Sequence, residues 1–234
     1  MNAILIPVKE FAEAKKRLTA HFSPTERAQL VQALCRDFFN MMAGVRSVAR
    51  IVVVSKEPEA LGLARKMGWE TIVESEQSSE SASVDFASRQ CAAQGVDALL
   101  RVPIDLPLVE PKDIEGLFEH LGAAPAAVIV PSGDGTGTNA LLRAPPELFP
   151  SRFGPNSFSL HLAEAESQGV HARIVRNPRL AQDIDEIEDL QRLAGMLRPG
   201  SETARWFNLH ASRLTDQFRS TVSGASGGSG SSRS

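Results

Sequence analysis

The chain has 234 residues, 42% of them hydrophobic, and 25 lysines and arginines against 28 aspartates and glutamates for a net charge of −3. That length suits one large or two small domains with a core that needs no staples, and the near balance of charge excludes a chain-wide basic surface for nucleic acid. No apolar run reaches the roughly 18 residues of a membrane helix, and residues 1–9 lack the order of a signal peptide.

In chain order, short β-branched runs at 3–8, 51–54, 70–73, 98–102, 126–130, 141–142 and 170–175 read as strands, several of them continuous enough to be buried on both faces. Between them, Ser23-Pro24-Thr25-Glu26 joins an N-cap, a proline at the first helical position and a capping-box Glu. Leu30, Leu34, Phe38 and Met41 follow at helical spacing as a core-facing stripe. Further helices are expected over 57–67, 81–94, 112–120, 157–168 and 186–197, and a last one over 201–218 with Trp206 and Phe207 packing back on the body. The alternation predicts a three-layer α/β/α sandwich around a mostly parallel, mixed sheet. One domain is expected over 1–220 and a flexible Ser/Gly tail over 221–234, where ten of the last twelve residues are Ser or Gly. Cys35 and Cys91 read as two buried thiols of a cytoplasmic protein, too few for a disulfide framework or a zinc site.

Ligands of such sheets sit beyond the carboxyl ends of the strands, so the segments there are the ones to read for chemistry. After the first strand, Lys9, Lys15, Lys16 and Arg17 put four cations within nine residues, a set suited to a polyphosphate or to a solvated basic face. Pro103-Ile104-Asp105-Leu106-Pro107 fixes a carboxylate between two prolines, suited to a hard cation such as Mg²⁺ or to starting a turn. Asp183-Ile184-Asp185 points two anions to one side of an extended segment, as a metal would require, although Asp185 is also placed to cap the next helix. Residues 131–139 alternate glycine with small polar side chains and offer N–H groups to an anion. Arg152-Phe153-Gly154-Pro155-Asn156-Ser157 runs into a helix N-terminus, a second anion site or an ordinary cap. The five histidines fall at no metal-ligand spacing and no nucleophile–base order stands out. Together these parts suit phosphoryl or nucleotidyl transfer.

The order Ile6-Pro7-Val8-Lys9, Ala14-Lys15-Lys16-Arg17-Leu18, Pro103-x-Asp105-Leu106-Pro107, Gly135-Thr136-Gly137-Thr138-Asn139, Arg152-Phe153-Gly154-Pro155-x-Ser157 and Asp183-Ile184-Asp185 resembles the 2-phospho-L-lactate / phosphoenolpyruvate guanylyltransferases of coenzyme F-420 biosynthesis. The resemblance spans about residues 3–192 and implies a glycosyltransferase-A-like nucleotidyltransferase fold. It implies GTP and a small phospho-acid as substrates: phosphoenolpyruvate, 2-phospho-L-lactate or 3-phospho-D-glycerate. Lys9, Arg17 and Asp105 would be catalytic. Lys9, Lys15, Arg17, Ser83 and Asp105 would bind the nucleotide, and Thr138, Gly154 and Ser157 the phospho-acid. Asp105, Asp183 and Asp185 would hold Mg²⁺. A cytoplasmic enzyme, a homodimer and a downstream deazaflavin transferase that takes the product belong to the same expectation. A phosphate is already an anionic nucleophile at neutral pH, which agrees with the absence of a candidate histidine base.

The chain departs from the family over 78–84, where Ser-rich sequence replaces the usual Gly-Leu-Asn; Ser83-Val84 before a helix is more like the cytidylyltransferases of isoprenoid synthesis. A cytidylyl- or sugar-nucleotidyltransferase of the same fold is therefore the second reading, and a non-catalytic nucleotide-binding regulator the third.

Overall fold

The computed structural model describes residues 1–224, so most of the stretch expected to be a tail lies outside the described residues. The strands are β1 (Asn2–Val8), β2 (Arg50–Ser55), β3 (Glu70–Val73), β4 (Ala98–Arg101), β5 (Ala126–Pro131), β6 (Thr138–Ala144) and β7 (Arg173–Ile174). The helices are α1 (Pro24–Met42), α2 (Pro58–Lys66), α3 (Glu80–Ala93), α4 (Pro111–Glu119), α5 (Ser157–Ser167), α6 (Ile187–Leu193) and α7 (Glu202–Gly224). One seven-stranded sheet runs in the order β3-β2-β1-β4-β6-β5-β7. Every pair is parallel except those of β6, which lies antiparallel to both β4 and β5, so the mostly parallel, mixed sheet is as expected.

The strand period of two divides β1 between the two faces. Ile4, Ile6 and Val8 face Phe38, Phe39 and Met42 of α1 with Ile114 and Leu117 of α4, whereas Ala3 and Leu5 face Val84, Ala87 and Cys91 of α3. On the far half of the sheet, Ala127, Ile129 and Leu141 pack on Ala165 of α5 and on Phe149.

Helix α1 starts where its capping box places it, with the Glu26 N–H donating to Ser23 Oγ at 3.3 Å and the Ser23 N–H to Glu26 Oε2 at 2.8 Å. Its expected stripe is divided between two cores. Phe38 and Met41 meet the sheet, but Leu30 and Leu34 turn to a separate cluster with Leu18, Phe22, Ile184, Leu190, Trp206 and Phe207. The cause is that α6 and α7 cover the outer side of α1, which buries a second face. Trp206 does pack back on the body, its indole N–H donating to the Glu26 carbonyl at 3.1 Å. The second face matters for the site, because Ile184 anchors it between Asp183 and Asp185.

Cys35 and Cys91 are both buried and unpaired, and burial pushes both thiols up. Among the described residues, no helix is long and apolar enough to cross a membrane.

Candidate active site

Because β6 runs opposite to β4, its first residues lie at the carboxyl end of β4, and the segments after β1 and β4 meet there. After β1 the chain makes two 3-10 turns, Phe11–Glu13 and Lys16–Ala20, with Phe11 and Leu18 buried beneath them. Between the turns Lys15 adopts a left-handed backbone, φ 53° and ψ 42°, a conformation a non-glycine residue keeps only where its surroundings hold it. That bend sends its side chain inward, where it is 8% exposed, while Lys16 reaches Glu13 on the surface.

The Lys15 ammonium donates to Asp105 Oδ2 at 2.5 Å and to Asp185 Oδ1 at 2.9 Å. Burial alone would lower its pKa, but the two carboxylates outweigh that and hold it above the ordinary lysine range. Asp185 feels the converse: against the upward push of burial, Lys15, Arg17 and Lys9 hold its carboxyl below the usual value. The third carboxylate is placed differently. Asp183 is pushed up to about 6 by burial and by the charge of Asp105, a rise that the hydrogen bond from Asn139 Nδ2 at 3.1 Å only partly opposes. The backbone fastens the pair, since the Ile184 N–H donates to the Asp105 carbonyl at 3.2 Å.

Three carboxylates in this corner meet one fixed ammonium, with Arg17, Lys9 and Arg101 acting from farther off. The corner's donors are hard oxygens, the kind Mg²⁺ takes. Among the described residues no three His, Cys, Asp or Glu side chains stand together as a finished metal set, and Lys15 supplies the cation between Asp105 and Asp185.

Lys9 and Arg17 lie at the rim. Lys9 Nζ is 3.9 Å from Glu80 Oε2 and Arg17 donates to Glu186 Oε1 at 3.0 Å, each with its side chain more than half exposed. Ser83 is turned into α3, buried, with its hydroxyl donating to the Ser79 carbonyl at 3.1 Å. The glycine-rich loop differs from expectation. Three of its N–H groups are spent on the loop itself: Gly135 on the Ser132 carbonyl, Thr136 on the Asp134 carboxylate and Gly137 on Ser132 Oγ. Hydrogen bonds from Ser132 and Thr136 hold the Asp134 carboxyl down at about 2, so the loop is closed on its own anion. Gly133 is required for room, since a Cβ there would meet the Ala181 carbonyl at 2.9 Å.

Thr138, Gly154 and Ser157 come together around α5. Gly154 (φ 126°) and Asn156 (φ 58°), both left-handed, turn the chain so that Ser157 opens the helix, buried. Thr138 Oγ1 lies 3.0 Å from His161 Nδ1, and His161 Nε2 accepts the Arg152 N–H at 2.8 Å. Behind both groups stands Arg101. Its Nη1 donates to the Thr138 and Asn139 carbonyls at 3.2 and 3.3 Å, its Nη2 pairs with Glu80, and its guanidinium lies 4.0 Å over the Phe153 ring. Burial pulls Arg101 down to about 10 although Asp105 and Asp183 raise it.

Arg101 and His161 were not legible as site residues. Arg101 lies in a run read only as apolar strand, and an arginine there is itself a signal that a buried charge has a partner. His161 shares the inward stripe of α5 with Ser157 and Ala165 at spacings of four. A recess of about 260 Å³ behind the Pro103–Pro107 segment, lined among others by Asp37, Leu106, Arg198 and Thr203, shares no residue with this corner.

A mixed sheet whose carboxyl edge gathers carboxylates, a buried lysine and two small-residue loops defines a nucleotidyltransferase-type protein. A chain from Desulfovibrio desulfuricans G20 assigned to the nucleotide-diphospho-sugar transferases shares the fold with a TM-score of 0.73 at 15% identity, over 92% of this chain and 97% of that one. The particular family follows from sequence: the chain belongs to the family described as guanylyl transferase CofC like, whose model matches residues 2–224. The phosphoenolpyruvate guanylyltransferase of Rubrobacter xylanophilus is 40% identical over 189 residues, 81% of this chain and 91% of the relative. The 2-phospho-L-lactate guanylyltransferase of Methanothermobacter thermautotrophicus is 32% identical over 186 residues, 80% of this chain and 81% of the relative. The family resemblance drawn from the motifs therefore holds.

Proposed function

We propose that this chain transfers GMP from GTP to the phosphate of phosphoenolpyruvate, 2-phospho-L-lactate or 3-phospho-D-glycerate. A phosphate oxygen of the acid attacks the α-phosphorus, a P–O–P link forms, the bond to the β-phosphate oxygen breaks, and pyrophosphate leaves. The observation that carries this reading is the convergence of Asp105, Asp183, Asp185 and Lys15 at the carboxyl edge of the sheet in a guanylyl transferase family member.

No proton has to be removed from the nucleophile, so positioning and charge neutralisation dominate. Lys9 and Arg17, exposed and held only by rim carboxylates, turn to the triphosphate. Asp105, Asp183 and Asp185 carry the hard oxygen donors that Mg²⁺ takes and would hold it once drawn together around the nucleotide. When bound, the ion would neutralise charge on the phosphates. Lys15, held between Asp105 and Asp185, adds a fixed positive charge beside the nucleotide. Thr138, Gly154 and Ser157 hold the acid's phosphate. The product is a phosphoanhydride, suited to a downstream transferase that expels GMP.

Ser83, the residue that favoured a cytidylyltransferase, is buried with its hydroxyl bonded within its own helix, so no observation of the site favours that second reading. Pyrophosphate release with Mg²⁺, measured over four nucleotides and the three acids, tests the proposal. Turnover with GTP and at least one acid is expected; a preference for CTP, or silence with every pair, defeats it.

A further inference from the structure

Neither nitrogen of His161 is free to choose its role. The ring is fully buried, its centroid 4.8 Å from that of Phe153 and 6.4 Å from that of Phe149. The backbone N–H of Arg152 can only donate, so Nε2, which receives it at 2.8 Å, must carry a lone pair. Burial, together with the charges of Arg143, Arg101 and Arg152, keeps the ring neutral, with its pKa pushed down to about 3. A neutral imidazole with a bare Nε2 has its hydrogen on Nδ1. That hydrogen points at Thr138 Oγ1, 3.0 Å away, and occupies a lone pair of the hydroxyl. The hydroxyl's own hydrogen is then left for another acceptor.

We propose that His161 is a positioning residue that fixes Thr138 as a hydrogen-bond donor toward the phosphate of the phospho-acid. The inference rests on the phospho-acid site of the proposed function. An anion offers only acceptors, so a threonine that spent its hydrogen on the ring would present a lone pair to a negative phosphate and repel it. The same ring reaches both sides of the cradle, because Arg152 begins the segment that leads through Gly154 to Ser157. It does so without touching substrate, in a molecule whose chemistry needs no histidine base.

Two substitutions divide the two bonds. In His161→Asn the amide nitrogen takes the place of Nδ1 and keeps the donation to Thr138; in His161→Gln the amide oxygen takes the place of Nε2 and keeps only the Arg152 bond. His161→Gln is expected to raise KM for phosphoenolpyruvate about tenfold while KM for GTP stays within about twofold, and His161→Asn to stay within about threefold of wild type for both. Thr138→Val gives the same rise as His161→Gln, and the double variant no more than either, since both remove one interaction. Equal losses in the two histidine variants, a parallel rise in KM for GTP, or additive losses overturn the inference.

Should the variants not fold, long-range proton–nitrogen spectra of ¹⁵N-histidine-labelled wild type decide. One ring is expected to show the Nδ1–H tautomer unchanged between about pH 5 and 8, where an exposed histidine titrates. A protonated Nε2, or a titration, overturns the inference. A wild-type chain that turns over no phospho-acid defeats the proposed function; normal wild-type turnover with KM unaltered in His161→Gln defeats this inference alone.

Discussion

Asp183 is held at a cost that its proposed role as a metal ligand would explain. Burial and the neighbouring Asp105 raise its pKa to about 6, so the folded chain binds this proton more tightly than the unfolded one. Stability therefore falls as pH rises from about 4 through 6, the reverse of a salt-bridged carboxylate. Asp183→Asn removes the charge and keeps an oxygen for Asn139. In chelator, the variant is expected to be more stable than wild type by about 1–3 kcal/mol at pH 7.5, with a smaller gap at pH 5, and to lose nucleotidyl transfer. Chemical denaturation at the two pH values checks this; a gap independent of pH contradicts the assigned cause. Lys15 makes the opposite case. Lys15→Met leaves Asp105 and Asp185 without their cation and is expected to cost about 1–2 kcal/mol in chelator, discounted because Asp185 is 46% exposed. Since the ammonium no longer competes for the carboxylates, added Mg²⁺ should raise Tm more in this variant than in wild type. Which of Lys9, Lys15, Lys16 and Arg17 turns inward was not legible in the sequence, because the left-handed backbone at Lys15 decides it, and nothing in a run of four cations marks that residue.

At the scale of elements, the strands were legible wherever apolar residues run unbroken, as in β1 and β2, and least so in β6. Only Leu141 and Leu142 marked that strand, yet it extends from Thr138 to Ala144. Its polar residues are buried because their partners come from distant segments: Asn139 donates to the Leu180 carbonyl and to Asp183, and Arg143 to Ser88 Oγ at 3.0 Å and to the Phe149 carbonyl. Sequence separation hid those partners, and with them the strand that carries Thr138. The outer helices show a related gap. The stripe of α1 reads as one face, but α7 supplies a second interior in which Trp206 stacks on His210 and meets Phe22. Trp206→Ala removes a 4% exposed ring and the hydrogen bond to Glu26. It is expected to destabilise the chain by about 3–5 kcal/mol, measured by urea unfolding. A loss under about 1 kcal/mol would mean that α7 is not an integral layer.

Across the whole molecule the two halves of the site are joined through one buried cation. Arg101 leaves β4 four residues before Asp105, holds the backbone of Thr138 and Asn139, and is closed off by Glu80 and Phe153. Thr138 turns to His161, beside the proposed acid cradle, and Asn139 to Asp183, so a shift of this dipeptide moves both. The Arg101 charge also meets both sides: Asp105 and Asp183 raise its own pKa on one, and it helps keep His161 neutral on the other. Arg101→Met keeps much of the volume but leaves Glu80 with only the rim cation Lys9 and frees the two carbonyls. We therefore expect kcat/KM to fall by about a hundredfold or more for GTP and for the phospho-acid alike. This contrasts with His161→Gln, whose loss is confined to the acid. A loss confined to one substrate would show that the halves are positioned separately. Arg101→Lys, which restores charge but not the fork that spans two carbonyls, Glu80 and the Phe153 ring, should recover only part of the activity. Full recovery would assign the coupling to charge alone, and none to the geometry of the guanidinium.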